Sequence, residues 1–305
     1  MSKKRRRKIT LRRVRKAKMK ILLTGSSGFI GKAYLAEMEK AGHEIIPFDL
    51  PDDDILRDDD LVIAISKADI VFHMAAVADL YQSAEMPDKN FEVNVRGTYN
   101  VAKYCNRLDR GLIFCSTCCV YGNCRDIPAM EDKTLPACCE LYATSKIAGE
   151  HIVRGVQGLK YMIVRPGTVY GPGMREALFN FMALDRCRRG EKIYIDGDGE
   201  QTRQYIYIDD LVRGFRLVAE NFDKYRGDTF NFCGQLPVSV NEVIRMVEQI
   251  TGKDAITERR PDRHAQTLRE TISCLKSYTC LSWLAETQFK DGMKKTFESD
   301  SRFHG

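Results

Sequence analysis

Three glycines at three-residue intervals separate a short apolar run from an amphipathic one in Thr24-Gly-Ser-Ser-Gly-Phe-Ile-Gly31. The preceding run, Lys20–Thr24, has the length and composition of a buried strand. The following one, residues 29–41, puts Ile30, Tyr34, Leu35 and Met38 on one helical face and stops at Gly42. A strand, a glycine turn and a helix in that order leave unpaired backbone N–H groups at the helix N-terminus. Those groups suit an anion, and Gly25, Gly28 and Gly31 let a pyrophosphate approach the backbone.

The same alternation continues. Glu44–Phe48, Ile70–His73, residues 112–116 and residues 160–165 read as further strands, with helices over residues 90–106 and 141–156. Repeated βα units predict an α/β fold, a doubly wound parallel sheet covered on both faces. From about residue 175 the pattern loosens into Gly-, Asp- and Pro-rich loops with short helices such as Val240–Thr251. The expected organisation is therefore a dinucleotide-binding domain over 19–174 and a smaller, mainly substrate-binding region over 175–305, with the chain crossing between them. Asp49, eighteen residues past Gly31, ends the second strand. An acid there can bond both ribose hydroxyls and repels a 2′-phosphate, which favours NAD over NADP. Asp54 and Ile55 are the candidates to bracket the adenine.

Tyr142 and Lys146 stand four residues apart in Leu141-Tyr-Ala-Thr-Ser-Lys146, on one face of a predicted helix. The ammonium is expected to favour the phenolate, lowering a pKa that is about 10 when unperturbed. A tyrosine so tuned exchanges a proton near neutral pH, and beside a nicotinamide that is the chemistry of alcohol oxidation and ketone reduction.

The net charge of +6 belongs to one end of the chain. Residues 1–18 hold eleven Lys and Arg and no acid, and the remainder carries 37 basic against 42 acidic side chains. Three readings fit the tail: a disordered, self-repelling extension; a true start at Met19; or a nucleic-acid or nuclear-targeting segment. The tail lacks the apolar core of a secretory signal, and no stretch of eighteen apolar residues predicts a membrane helix. A cytoplasmic location is expected. Eleven cysteines are many, and Cys115, Cys118, Cys119, Cys124, Cys138 and Cys139 crowd the predicted active site. They are expected to be buried thiols, since the chain is neither small nor led by a signal sequence.

Read together, these motifs resemble the extended short-chain dehydrogenase/reductase family, in its nucleotide-sugar epimerase/dehydratase branch. The resemblance runs through His73-Met-Ala-Ala76, Asn94-Val-Arg-Gly-Thr98, Ser116-Thr-Cys-Cys-Val-Tyr-Gly122, Arg165-Pro-Gly-Thr-Val-Tyr-Gly-Pro-Gly173, and Gly197-Asp-Gly-Glu-Gln-Thr-Arg203 with Tyr207-Ile-Asp-Asp210. It implies a Rossmann fold, NAD as cofactor, a nucleotide-sugar substrate and a homodimer. It implies that Thr117, Tyr142 and Lys146 are catalytic. Gly25, Gly28, Phe29, Ile30, Gly31, Asp49, Asp54, Ile55, Ala75, Ala76, Asn94, Tyr142 and Lys146 would bind the cofactor. Thr117, Thr168, Arg203 and Arg263 would contact substrate, with Arg203 on the pyrophosphate, where a planar guanidinium suits phosphate oxygens. His73 is expected to be structural.

The departures are informative. Cys118 and Cys119 occupy the positions of the Asp-Glu pair of 4,6-dehydratases, and the sugar-acid decarboxylases carry Glu at the second of these. Thr168 stands for the usual Asn, Gln204 for Asp, Cys274-Leu-Lys-Ser277 for D-x-S-K and Leu281-Ser-Trp283 for L-G-W. Dehydration and decarboxylation lose weight, and the expected activity is NAD-dependent epimerisation at C4 of a UDP-sugar through a keto sugar. A nucleotide-sugar reductase, dehydrogenase or dehydratase of the same family, and a non-catalytic NAD-binding regulator, are the alternatives.

Overall fold

The computed structural model describes residues 18–78, 80–124, 128–133, 140–262 and 268–304. The basic tail up to residue 17, Cys138, Cys139 and Arg263 lie outside the described residues.

Six strands form one parallel sheet: β1 (Lys20–Thr24), β2 (Glu44–Phe48), β3 (Ile70–His73), β4 (Gly111–Cys115), β5 (Tyr161–Pro166) and β6 (Thr229–Phe232). Their spatial order is β6-β5-β4-β3-β1-β2. Strand side chains alternate between faces, and here both faces are apolar. Ile21, Leu23, Phe72, Ile113, Met162 and Val164 feed one core. Leu22, Val71, Leu112, Phe114 and Ile163 feed the other. This is why the strands read as unbroken apolar runs rather than alternating ones.

Helices α1 (Phe29–Lys40) and α6 (Ile208–Glu220) cover the first face, through Tyr34, Met38, Leu211, Phe215 and Val218. Helices α2 (Asp58–Ser66), α3 (Thr98–Arg107) and α4 (Leu141–Gly155) cover the second, through Leu61, Ile65, Val101, Cys105 and Val153. The helix expected over 90–106 is divided: a π-helical stretch, Phe91–Gly97, precedes α3. Strand β2 lies at one edge of the sheet, and Pro47 sits there, where a missing N–H is tolerated.

The sheet order reverses beside β1, so the carboxyl ends of β1 and β3 form the crevice where ligands of such sheets bind. The C-terminal residues close over it. Helices α5 (Phe179–Arg189) and α7 (Val240–Thr251) pack there with two-stranded pairs: Thr168–Tyr170 with Tyr205–Tyr207, Ile193–Asp196 with Thr257–Arg260, and Thr202–Arg203 with Val238–Ser239. In α7 a reciprocal capping box between Ser239 and Glu242 starts the helix and left-handed Gly252 ends it. The chain then crosses back, since β6 and α6 both belong to the N-terminal sheet and its cover.

Candidate active site

Between the carboxyl ends of the strands and the C-terminal cover lies a cavity of about 1060 Å³. That is at the upper limit of pockets for one small ligand, roughly 300–1,000 Å³, so two ligands can lie side by side.

One end is the glycine turn. Gly25 has φ of +74°, and a Cβ there would meet the Ala75 nitrogen at 2.8 Å. A Cβ on Gly31 would meet the Gly25 carbonyl oxygen at 2.2 Å. Turn and helix are thus packed against the end of β3 so closely that only glycine fits. Gly25, Gly28, Phe29, Ile30 and Gly31 line the cavity with Ala75 and Ala76. Asp49 accepts hydrogen bonds from the Ser27 N–H at 2.9 Å and the Ser27 hydroxyl at 2.6 Å, which fixes its carboxylate at the mouth of the turn. Asp54 also lines the cavity and accepts from the Leu56 N–H at 2.9 Å. Buried Ile55 presses on Gly97. Asn94 is placed behind the wall: its amide exchanges hydrogen bonds with both backbone groups of Val77 and donates to the Ser145 hydroxyl at 2.9 Å. It ties the loop after β3 to α4. His73 likewise bridges Thr24 Oγ1 at 2.7 Å and Thr98 Oγ1 at 3.1 Å. Burial, aided by the Lys146 charge, pushes its pKa down to about 3, so it is a neutral strut.

The other end holds Thr117, Tyr142 and Lys146, all on the cavity wall. Thr117 caps the turn Cys118–Tyr121, accepting from the Cys119 N–H at 3.2 Å, and its side chain acts on Tyr142 in the sense that favours the phenolate. Lys146 is buried and donates to the Cys115 carbonyl at 2.9 Å. The expectation that Lys146 lowers the Tyr142 pKa is not met in this arrangement. Burial raises the phenol well above its ordinary value and neighbouring Cys119 and Cys115 add to that, while Arg175 and Thr117 act in the opposite sense. Desolvation outweighs the nearby cations because the ammonium points at a carbonyl. The Lys146 pKa is itself lowered, by burial first.

A group that the sequence reading missed holds this helix in place. Glu150, one turn beyond Lys146, receives Arg165 Nε at 2.7 Å and Arg165 Nη2 at 2.6 Å, the Ser116 hydroxyl at 2.7 Å and Arg154 at 3.1 Å. Arg165 continues to the Tyr121 hydroxyl at 2.6 Å, which donates to Asn231 at 2.8 Å. Burial alone would raise the Glu150 carboxyl, but Arg165 more than offsets it and the net shift is downward. The network locks α4 to β5, β6 and the Thr117 turn. The arginine of the Arg165–Gly173 motif is the signal that could have led to it.

Thr168 and Arg203 also line the cavity. Gln204 lies behind the wall, donating to the Gly234 carbonyl at 2.6 Å and accepting from the Ile272 N–H at 2.7 Å. The described cysteines form no disulfides, and burial pushes Cys115 and Cys118 up to about 11 and Cys119 up to about 12. Among the described residues no group of His, Cys, Asp or Glu could hold a metal, and no helix is long and apolar enough to cross a membrane.

Residues 21–233 match the NAD dependent epimerase/dehydratase family. The chain belongs to that family. Its cofactor is NAD, and the glycine turn with Asp49 is a cradle of the right chemistry for it. The chain is 27% identical to a UDP-glucose 4-epimerase of Mycolicibacterium smegmatis, over 92% of this chain and 98% of that one. It is 26% identical to a UDP-N-acetyl-alpha-D-glucosaminuronate decarboxylase of Bacillus cytotoxicus, over 77% and 81%. Among solved structures it is similar to the UDP-glucuronic acid 4-epimerase of Bacillus cereus, in complex with UDP-glucuronic acid and NAD, with a TM-score of 0.85, 26% identity and coverage of 92% and 98%.

Proposed function

We propose that this enzyme epimerises a nucleotide sugar, at C4 of a UDP-sugar, through a transient keto sugar. The carrying observation is that Thr117, Tyr142 and Lys146 stand on the wall of the same cavity as the dinucleotide cradle. The chemistry of the relatives supports it. Gly25, Gly28, Phe29, Ile30 and Gly31 would seat the pyrophosphate of NAD, and Asp49 its adenosine ribose. Asp54 and Ile55 would bracket the adenine. Ala75 and Ala76 would border the cofactor, with Asn94 holding the adjoining loop, and Lys146 would bond the nicotinamide ribose. Bound there, NAD supplies the hydride acceptor and, once the ketone has turned, the hydride donor. Tyr142 takes the proton from the sugar hydroxyl, with Thr117 orienting it, and returns the proton at the end. Arg203 and Thr168 would contact the substrate, with Arg203 on its pyrophosphate; Arg263 remains a proposal from the motif alone.

Tyr142 would take that proton as the phenolate, a form that burial opposes in this arrangement and that Arg175 and Thr117 favour. A homodimer packed through the helices of residues 91–107 and 141–155 is part of the same reading. Phe91, Tyr99 and Leu141, exposed at 59%, 48% and 40%, support it.

The test is incubation with UDP-, GDP- and dTDP-sugars, read by chromatography with mass spectrometry. A new peak of unchanged mass without added reductant is expected. Loss of water or carbon dioxide, or gain of two hydrogens with NADH, overturns epimerisation. Tyr142→Phe should lose turnover by at least a hundredfold, the usual scale of an acid–base group, while retaining NAD. Unchanged turnover removes Tyr142 from the mechanism.

A further inference from the structure

Glu270 lines the cavity, and neither the family motifs nor the proposed mechanism uses it. It is 4% exposed and lines the same cavity as Thr117, Cys119, Tyr142 and Arg203. Its backbone is fixed from both sides. The Thr202 N–H donates to the Leu268 carbonyl at 3.0 Å, the Glu270 N–H donates to the Thr202 hydroxyl at 3.3 Å, and the Ile272 N–H donates to Gln204 Oε1 at 2.7 Å. The side chain is therefore held, not merely parked.

Its two oxygens differ. Oε2 lies 3.9 Å from Arg203 Nε, and Arg203 and the Gln204 backbone both act to lower the carboxyl's pKa. Oε1 is buried and has no hydrogen-bond partner among the described residues. The other titratable groups around it are Cys118, Cys119 and Cys124 from the turn after β4, and Tyr205 beyond Arg203. The cysteines are held as thiols and Tyr205 as a phenol, since burial raises them all, so Arg203 is the only cation among these neighbours. A buried acceptor without a partner costs free energy until a donor arrives. Burial pushes the carboxyl up to about 7, as expected for a charge waiting for its counterpart.

We infer that Glu270 sets the class of sugar, taking a hydroxyl or ammonium donor on the sugar ring at Oε1 and excluding sugars that carry a carboxylate. This rests on the nucleotide-sugar reading of the cavity. A second carboxylate brought beside Glu270 would meet like charge in a water-poor site, with Arg203 already engaged. A site built to accept a hydrogen bond also rejects ligands that cannot donate one. Relatives of this chain include both glucose and glucuronic acid enzymes, so the family leaves the choice open.

The experiment is calorimetric titration of the NAD-loaded protein at pH 8 with UDP, UDP-glucose and UDP-glucuronic acid, for the wild type and Glu270→Gln. The wild type should bind UDP-glucose at least tenfold more tightly than UDP-glucuronic acid. In Glu270→Gln that ratio should shrink at least tenfold, with UDP alone as the reference for any change at the pyrophosphate. A wild type that binds the uronate as tightly as the glucose overturns the inference, and this arm stands even if the variant fails to fold. A ratio unaltered by the substitution overturns it as well. Binding of UDP with no gain from either sugar overturns the role of Glu270 but leaves a nucleotide site. Failure to bind UDP or any UDP-sugar overturns the nucleotide-sugar reading and this inference together.

Discussion

Glu150 and Glu270 are both carboxylates on the edge of one active site, exposed at 1% and 4%, yet their surroundings push them in opposite directions. Glu150 is met by two arginines and a serine hydroxyl, and its pKa falls below the ordinary 4.5 despite the burial that opposes it. Among the described residues Glu270 has one arginine, at 3.9 Å, and an oxygen with no partner, and burial carries it up to about 7. The same burial thus yields a rivet in one case and an open valence in the other. What separates them is the number of donors, not depth. Glu150 is satisfied by the protein because it positions α4. Glu270 is left for a ligand to satisfy.

The comparison breaks most visibly if each acid is removed in turn. Glu150→Ala strands Arg165, buried to 2% exposure, without its partner. Breaking such a pair costs about 3–5 kcal/mol, and urea denaturation should show that loss, with weakened NAD retention as α4 loosens. A loss below about 1 kcal/mol would mean that the network is not the rivet described.

Glu270→Gln should act the other way, and its sign depends on pH. For Glu270 the folded pKa lies above the unfolded one, so the unfolded chain gives up the proton first. Stability is undiminished below about 4.5, falls as pH rises, and carries the full penalty above about 7. At about 1.4 kcal/mol per pH unit, that penalty has an upper bound of roughly 3 kcal/mol. Glu270→Gln should therefore be more stable than wild type at pH 8 by up to that amount, and the gain should vanish near pH 4.5. Glu150 has the opposite linkage, with stability present above its unfolded value and lost as pH falls through its folded value. The two variants should therefore change in separate windows: the gain of Glu270→Gln over wild type grows between about pH 4.5 and 7, whereas the deficit of Glu150→Ala is constant there and shrinks only below about 4.5; a pH-dependent deficit of Glu150→Ala above about 4.5 would erase the distinction.

The two regions also differ in how far the sequence revealed them. The glycine turn, β1 to β3 and α4 were legible because each is a local pattern: three glycines between a strand and a helix, apolar runs of strand length, and Tyr142 four residues before Lys146. The motif-rich wall at Thr117 was legible for the same reason. The Glu150–Arg165 pair joins residues that are fifteen apart in sequence and meet only through sheet packing. Glu270 was invisible, since its segment has no periodicity and its burial depends on Thr202 and Gln204 pairing with residues 268–272. The sixth strand, Thr229–Phe232, was missed because it is short and lies in the irregular half, yet completes the N-terminal sheet. The expected effect of Lys146 on Tyr142 failed for a related reason: spacing puts two side chains on one face but does not say where the ammonium points, and here it points at Cys115.

The smallest expected effect tests the finest point, whether Arg203 is a partial partner of Glu270. The charge of Arg203 holds the Glu270 carboxyl below the value that burial alone would give. Removing it in Arg203→Leu should raise that pKa by roughly one unit, but the single variant also loses packing and so reads ambiguously. A double-mutant cycle with Glu270→Gln isolates the pair. Near pH 5 the carboxyl is protonated in the folded protein and the coupling energy should be close to zero. At pH 8 it is ionised, and the coupling should reach about 0.5–1 kcal/mol, modest because the contact is long and the Arg203 side chain is a quarter exposed. Equal coupling at both pH values would show that the two side chains touch without exchanging charge. Arg203 would then be committed to the substrate pyrophosphate alone, and Glu270 would be still more in need of a donor from the ligand.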